Sequence, residues 1–500
     1  MDYLNRRAML CRAAAIGGTA FLSPACISKV TVERNAEEQI GWPIGFKNVR
    51  RHSLESPRLE RIYGRIPKGL SGQFYRNGPA LRERGGEQVQ HWFDGDGMVQ
   101  RFDISENGIS HIGRIVETEK YLADEAEGHF TTHGFGTVVE MPLPPANLNA
   151  ANAANTNIVK VGNELLALWE GGSAHKVDLA TLETLGIKSW APGMPAMPFS
   201  AHPKVETNGT IWNFGQDAYG QSLFIYKISK SGGLENMQVI PDVPGGLMHD
   251  FSMTKSHLIF MLPSLRANRK SIDYLGGFSW LPSEAQRVVV LNKDDLSDRR
   301  DFELPPGLQF HFGNAYEERN GDIRFSFCTT AQEFLLTGLK VILEGTVPEP
   351  AAGKLTHAVL RRNGKAEITQ QISAMGDHEF PQFNSSYSGQ FARYLYTTGK
   401  NRPERPLQSA ILCHDIETGE IESYDYGITS FAEEHLFVPR QNAQSENDGW
   451  LIGSVLDFSK QTTSINILNA QNLSDGPVAQ YALSYSLPLG FHGTWIGNNS

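Results

Sequence analysis

The chain has 500 residues, 45 Lys and Arg against 55 Asp and Glu, and a formal charge of −10, with 40% hydrophobic and 20% charged side chains. That composition suits a soluble globular protein with a sizeable core, and no apolar stretch is long enough to cross a membrane. Nucleic acid is excluded as a partner because phosphate binding needs clustered Lys and Arg, and a neutral or cationic substrate fits better.

In chain order, the first feature is Arg6-Arg7 before an apolar run from Ala13 to Leu22 and the small residues Ser23-Pro24-Ala25. This reads as a twin-arginine-like export signal over residues 1–25, which makes the mature protein periplasmic, with a lipid anchor at Cys26 as a variant and a cytoplasmic chain as the alternative. Residues 26–500 then form a single catalytic domain. Past Cys26 the cysteines are Cys328 and Cys413, too few for a disulfide scaffold or a zinc ribbon.

Asn-Gly pairs at 77–78, 107–108, 208–209, 320–321 and 363–364 read as hairpin turns between alternating strands. Strands are expected at Thr210 to Phe214, His257 to Leu262, Arg287 to Leu291, Asp322 to Cys328 and Thr463 to Leu468, so the chain is predominantly β. Asp94-Gly95-Asp96-Gly97 reads as a tight hairpin without a metal, because a calcium loop's third Asx and terminal Glu are missing. Asn147 to Asn157 reads as a loop leading into a strand pair from Ile158 to Trp169.

Asp178, Asn292, Asp415 and Asn469 each follow a strand and start a polar turn, with gaps of 114, 123 and 54 residues. These are near multiples of one repeat of about 54–62 residues, so the mature chain holds seven or eight four-stranded units of a β-propeller. His202, His249, His311 and His492 keep roughly the same beat, at 47, 62 and 181 residues. Inner strands of different blades can therefore bring them to the axis. A site of neutral imidazoles suits zinc, copper, iron or nickel and favours oxygen chemistry over a structural clamp. Two apolar segments interrupt the β texture, Tyr274 to Pro282 and Ala331 to Glu344, the second with helical potential. Both are candidates to cap one face, and Phe278, Trp280, Leu281 and the Phe334 to Leu343 stretch are candidates for peripheral membrane contact. Nucleophile-elbow and phosphate-loop patterns are absent, so hydrolase and nucleotidase chemistry lack their parts.

The run Gly64 to Pro79, His91-Trp92-Phe93-Asp94-Gly95-Asp96-Gly97-Met98, Ala167-Leu168-Trp169-Glu170-Gly171-Gly172, Ala201-His202-Pro203-Lys204, His249-Asp250-Phe251, Phe310-His311-Phe312-Gly313-Asn314, Glu379-Phe380-Pro381, Phe437-Val438-Pro439-Arg440 and Phe491-His492-Gly493, in that order, resembles the carotenoid cleavage oxygenase family over about residues 38–500. The resemblance implies an all-β, seven-bladed β-propeller with a helical and loop dome over an axial Fe(II) held by His202, His249, His311 and His492. It further implies that Glu170, Glu379 and Glu434 hold His249, His311 and His492, while His202 has no glutamate. The family commonly has Glu-Pro ahead of Phe-Val-Pro-Arg, whereas this chain reads Glu433-Glu434-His435-Leu436; register favours Glu434 over Glu433.

The implied activity is dioxygenase cleavage of one alkene bond of a conjugated, lipophilic substrate, with O2 as co-substrate and two carbonyl products. In the stilbene-cleaving branch Lys precedes the glutamate of the Ala-Leu-x-Glu strand; here Trp169 stands there, which favours a carotenoid or apocarotenoid over a phenolic stilbene. The alternatives are a lignostilbene-like dioxygenase, a retinoid isomerohydrolase-like enzyme with the same ligands, and a secreted propeller that binds a lipophilic molecule without catalysis.

Overall fold

A computed structural model describes residues 41–498 apart from 195, 217–219, 269, 350 and 400–404. The twin-arginine-like segment and Cys26 lie outside the described residues. The alternation of apolar residues builds seven antiparallel sheets of four or five strands, the blades of a β-propeller. From the axis outward, blade two is Asn157–Val161, Glu164–Leu168, His175–Val177 and Thr184–Ile187, and blade four is Ser252–Met253, His257–Leu262, Gln286–Asn292 and Arg299–Leu304. Blades three, five and six follow the same meander, with inner strands Lys204–Val205, Gln309–Glu317 and Glu379–Gln382.

The central strands are apolar on both faces because each blade is sandwiched between two others. In blade four, Val289 and Leu291 enter the core shared with blade three, while Val288 and Val290 enter the core shared with blade five. Side chains alternate across a strand, so one run feeds two cores. Each such side chain contributes about 1.5–3 kcal/mol on burial.

The remaining two blades close the ring with both ends of the described chain. The C-terminal strand Gly493–Gly497 is the inner strand of blade one, paired with Gly72–Leu81. Near the N-terminal end, Ser53–Ser56 is the outer strand of blade one, and the next strand, Glu60–Gly64, is the outer strand of blade seven, whose inner strand is Ser430–Pro439.

The Asx repeat marks one structural position. Asp178, Asn292, Asp415 and Asn469 all stand where the third strand of a blade turns into the fourth, in blades two, four, six and seven. Asp178 Oδ1 accepts from the N–H groups of Ala180 and Thr181, and Asp415 Oδ1 from those of Glu417 and Thr418, the side chain replacing the next strand's backbone as turn partner.

Two turn expectations fail. Asn77-Gly78 lies inside the strand Gly72–Leu81, and the buried Asn77 amide donates to the carbonyls of Ala154 (2.8 Å) and Asn157 (2.9 Å), stitching blade one to blade two. Asp94 to Gly97 makes no hairpin: a 3-10 turn, Trp92–Asp94, runs into the strand Asp96–Ser105. The Asp94 carboxylate accepts from the backbone of Phe135 and Gly136 and from Thr137, while Asp96 pairs with Lys120 (2.7 Å) and Arg84 (3.2 Å), so these carboxylates are spent on internal donors.

The dome is built from the two interrupting segments. Ala331 to Glu344 becomes a π turn, Phe334–Gly338, followed by Leu339–Val341 and Ile342–Glu344; Tyr274 to Pro282 becomes the turn Leu275–Gly277 and the short strand Phe278–Trp280. Phe278, Leu335, Leu339 and Ile342 are buried in one cluster with Trp42, Phe46, Trp92 and Phe491, whereas Trp280, Leu281, Phe334 and Leu336 keep partial exposure. Among the described residues no helix is long and apolar enough to cross a membrane, and Cys328 and Cys413 are buried thiols without a disulfide.

Burial also sets the acid sensitivity. It pushes His91, His111 and His414 down to about 3 and His175, His357 and His435 to about 4. The unfolded chain therefore binds more protons than the folded one from pH 6.5 down to those values, and stability present above pH 6.5 is lost as pH falls. Calorimetry is expected to show a clearly lower Tm at pH 5 than at pH 7.5; an equal Tm refutes the neutral buried imidazoles.

Candidate metal centre

Every blade contributes one charged or imidazole side chain near the axis. His202 and His249 sit just before the two-residue inner strands of blades three and four, His311 lies within the inner strand of blade five, and His492 immediately precedes that of blade one. Glu170 follows the second strand of blade two, and Glu379 and Glu434 lie in the inner strands of blades six and seven.

The strands bearing His311, Glu379 and Glu434 share a device. Pairing registers slip by one residue between Gln309 and Phe312, between Glu379 and Gln382, and between Ala432 and His435. A bulge puts two residues opposite one and re-aims a side chain that strict alternation would bury between blades. Next to Glu379, Phe380 adopts φ +52°, a conformation costly for an aromatic residue, and its ring lies over His311 (5.2 Å between centroids).

The four histidines converge, with one nitrogen from each lying within 4.8 Å of all the others. His202 Nε2 to His249 Nε2 is 2.9 Å, and His249 Nε2 to His311 Nε2 is 3.2 Å. The outer nitrogens face carboxylates: His249 Nδ1 to Glu170 Oε2 is 2.7 Å, His311 Nδ1 to Glu379 Oε2 is 2.5 Å, and His492 Nδ1 to Glu434 Oε1 is 3.0 Å. An ionised carboxylate only accepts, so each Nδ1 carries the proton and each Nε2 presents a bare lone pair. Bare lone pairs at 3.2 Å repel one another unless a cation lies between them. A first-row dication with metal–nitrogen bonds of about 2.1 Å separates right-angle ligands by about 3.0 Å, so the spacing fits a metal ion.

Electrostatics follow the same division. Burial holds His202 well below the usual histidine range, helped by repulsion from His492, His249 and His311. For His249 burial acts downward, but the Glu170 carboxylate outweighs it and the net shift is upward. Burial brings His492 down to about 4 against the pull of Glu434. Glu434 is held below the ordinary carboxylate range: burial acts upward, and His492 and Arg76 outweigh it.

Two contributors were not recognised from sequence. Asp250 joins three histidine segments: it pairs with Lys204 (2.8 Å) and accepts from the backbone of Phe251 (2.7 Å) and Phe312 (2.8 Å). Arg76 contacts both Glu433 and Glu434. Their only sequence signal is position, Asp250 beside His249 and Arg76 inside the long Gly64 to Pro79 run. Above the histidines lies a cavity of about 120 Å3 that opens to solvent. Its walls are aromatic and aliphatic, including Phe93, Phe135, Phe310, Phe334, Phe431 and Leu339 from propeller and dome; Trp169 and Thr156 also line it.

Comparison with known proteins decides the family. The sequence profile of the RPE65 family, described as retinal pigment epithelial membrane protein, matches residues 46–497. The chain belongs to the RPE65, or carotenoid cleavage oxygenase, family. It is 30% identical to apocarotenoid-15,15'-oxygenase of Synechocystis sp. over 480 residues, covering 87% of this chain and 92% of that protein. It is 25% identical to resveratrol cleavage oxygenase 1 of Aspergillus fumigatus, covering 90% and 94%. The crystal structure of cobalt-substituted Synechocystis ACO superposes with a TM-score of 0.82 at 26% identity, covering 91% of this chain and 98% of that one. The family is metal-dependent, and in this chain the four histidines are grouped closely enough to hold a metal ion.

Proposed function

We propose that this protein is a non-haem iron(II) dioxygenase that cleaves one double bond of a carotenoid or apocarotenoid, with His202, His249, His311 and His492 holding the ion and Glu170, Glu379 and Glu434 orienting three of them. The observation that carries the reading is the set of carboxylate-backed imidazoles at the floor of an apolar cavity. A ferrous ion held by these four neutral imidazoles would supply the activation of dioxygen that alkene cleavage requires. The reaction R–CH=CH–R′ + O2 → R–CHO + R′–CHO balances without an external reductant.

The chain's own residues supply orientation. Aromatic side chains such as Phe310, Phe431 and Phe491 bind a conjugated substrate through apolar contact, exclude water and set which double bond lies over the histidines. The three glutamates keep the protons on Nδ1, so the inward nitrogens stay available for a cation. Trp169 in the cavity wall offers a hydrocarbon surface and no cation for a phenolate, which favours a polyene over a hydroxystilbene.

Purified protein given apocarotenals and hydroxystilbenes under 18O2 tests this by product mass spectrometry. Expected are two carbonyl products from an apocarotenal, each with one labelled oxygen. Stilbene products alone overturn the substrate choice, and product without label points to isomerohydrolase chemistry. The Arg6-Arg7 leader supports export to the periplasm, and the partly exposed Trp280, Leu281, Phe334 and Leu336 support uptake of a lipophilic substrate at a bilayer. Fractionation that finds all the protein in the cytosol refutes both.

A further inference from the structure

We propose that Glu433 and Arg76 are positioning residues for His492, forming with Glu434 a buried clamp that sets the placement of this one imidazole. The inference rests on the reading of His492 as a metal ligand. It starts from the bulge in blade seven. Ala432 pairs with Val455 and His435 with Gly453, so Glu433 and Glu434 both stand opposite the single Ser454. In a regular strand the two side chains point to opposite faces; here both reach the same guanidinium, Glu433 at 3.3 Å from Arg76 Nη2 and Glu434 at 3.2 Å from Nη1. All three side chains are less than one-tenth exposed.

The two carboxylates bracket His492 along its own chain. Glu433 Oε1 accepts from the Gly490 N–H, and Glu434 Oε2 accepts from the Gly493 N–H at 2.9 Å. Between them, Phe491 N–H donates to the Asn77 carbonyl (2.8 Å) and the His492 carbonyl accepts from Asn77 N–H (2.9 Å). The backbone on both sides of the imidazole is thus fixed, while Glu434 Oε1 fixes the ring itself at Nδ1. Arg76 holds the two carboxylates in one frame and offsets a like-charge repulsion that burial magnifies. Ser454 donates to the other oxygen of Glu433, so Gly490 N–H, Ser454 O–H and an Arg76 N–H all converge on that carboxylate. A glutamine there offers one acceptor oxygen in place of two and leaves at least one buried donor unmet.

The test is cobalt(II) binding to the full chain stripped with a chelator, read by titration and by the visible absorption of the bound ion. Glu433→Gln is expected to weaken cobalt binding at least about tenfold and to shift the absorption bands, as removal of an outer partner does at metal-bound histidines. Arg76→Lys is expected to act in the same direction, because an ammonium cannot span two carboxylates as a planar fork does. Asp96→Asn, which removes a buried ion-paired carboxylate outside this site, is expected to lower Tm and leave cobalt affinity unchanged. Glu433→Gln protein with wild-type affinity and spectrum overturns the clamp while leaving the metal centre intact. Absence of cobalt uptake by wild type overturns the metal centre and the clamp with it. If Glu433→Gln does not fold, Ser454→Ala, which removes one anchor of Glu433, decides the question: a measurable loss of cobalt affinity supports the clamp, and wild-type affinity sinks it.

Discussion

His311→Ala is expected to leave a folded propeller that holds less than one-tenth of an equivalent of iron and makes no cleavage product. His311 is the inward imidazole of blade five, backed by Glu379 and 3.2 Å from His249. Removing an outer partner of a metal-bound histidine weakens metal binding by about 10–100-fold, so removing the histidine itself costs more than the upper end of that range. Glu379→Gln is the graded companion: the ring stays, its Nδ1 proton loses a charged acceptor, and metal content and rate are expected to fall by about 10–100-fold. The fold survives His311→Ala because the blade's core, Phe312, Phe325 and Phe327 against Ala358 and Leu360, lies away from the ring. The decisive measurement pairs elemental analysis with the thermal shift on adding iron. Wild type gains Tm by mass action on the native state, and the variant gains nothing. Full iron content and wild-type turnover in His311→Ala end the metal-centre reading.

A chain that stops after His492 is expected to lose cooperative unfolding and metal together, although all four histidines are still encoded. The strand Gly493–Gly497 pairs Gly497 with Gly72, Ile496 with Gln73, Trp495 with Phe74, Thr494 with Tyr75 and Gly493 with Arg76. It is the inner edge of blade one, so its loss leaves the mostly buried strand Gly72–Leu81 without its pairing partner on that side. It also deletes the Gly493 N–H that Glu434 accepts. Each unmet buried group costs about 1–3 kcal/mol, and several at once exceed the margin of about 5–15 kcal/mol by which proteins are stable. A chain ending at Asn498 keeps every one of these pairs and serves as the control. Calorimetry and solubility separate the two chains; a sharp transition in the shorter one shows that the ring closes without its last strand.

These outcomes mark what local sequence encodes. Asn208-Gly209, Asn320-Gly321 and Asn363-Gly364 make turns where the alternation of the flanking residues puts them, and Asp178, Asn292, Asp415 and Asn469 recur at one point of the blade. An Asx side chain bonds its own backbone two or three residues on, so such turns are legible without knowledge of the rest of the chain. Asn77-Gly78 shows the limit: the same dipeptide sits mid-strand because the Asn77 amide finds carbonyls at Ala154 and Asn157, far along the chain. The helical stretch after Ala331 was visible as an apolar interruption. That it roofs the cavity follows from packing against Trp42, Trp92 and Phe491.

By itself, then, the sequence determined the β repeat, the turn positions, the segments that interrupt them and the four histidines as isolated imidazoles in apolar settings. Tertiary structure alone decided that bulges at His311, Glu379 and Glu434 turn those side chains to the axis, that Arg76 meets carboxylates 357 and 358 residues away, and that the ring closes with one strand from each end. The physical reason is range: a turn is a bargain between neighbours, whereas a lone pair, a carboxylate and a guanidinium become partners only when packed blades bring distant strands together.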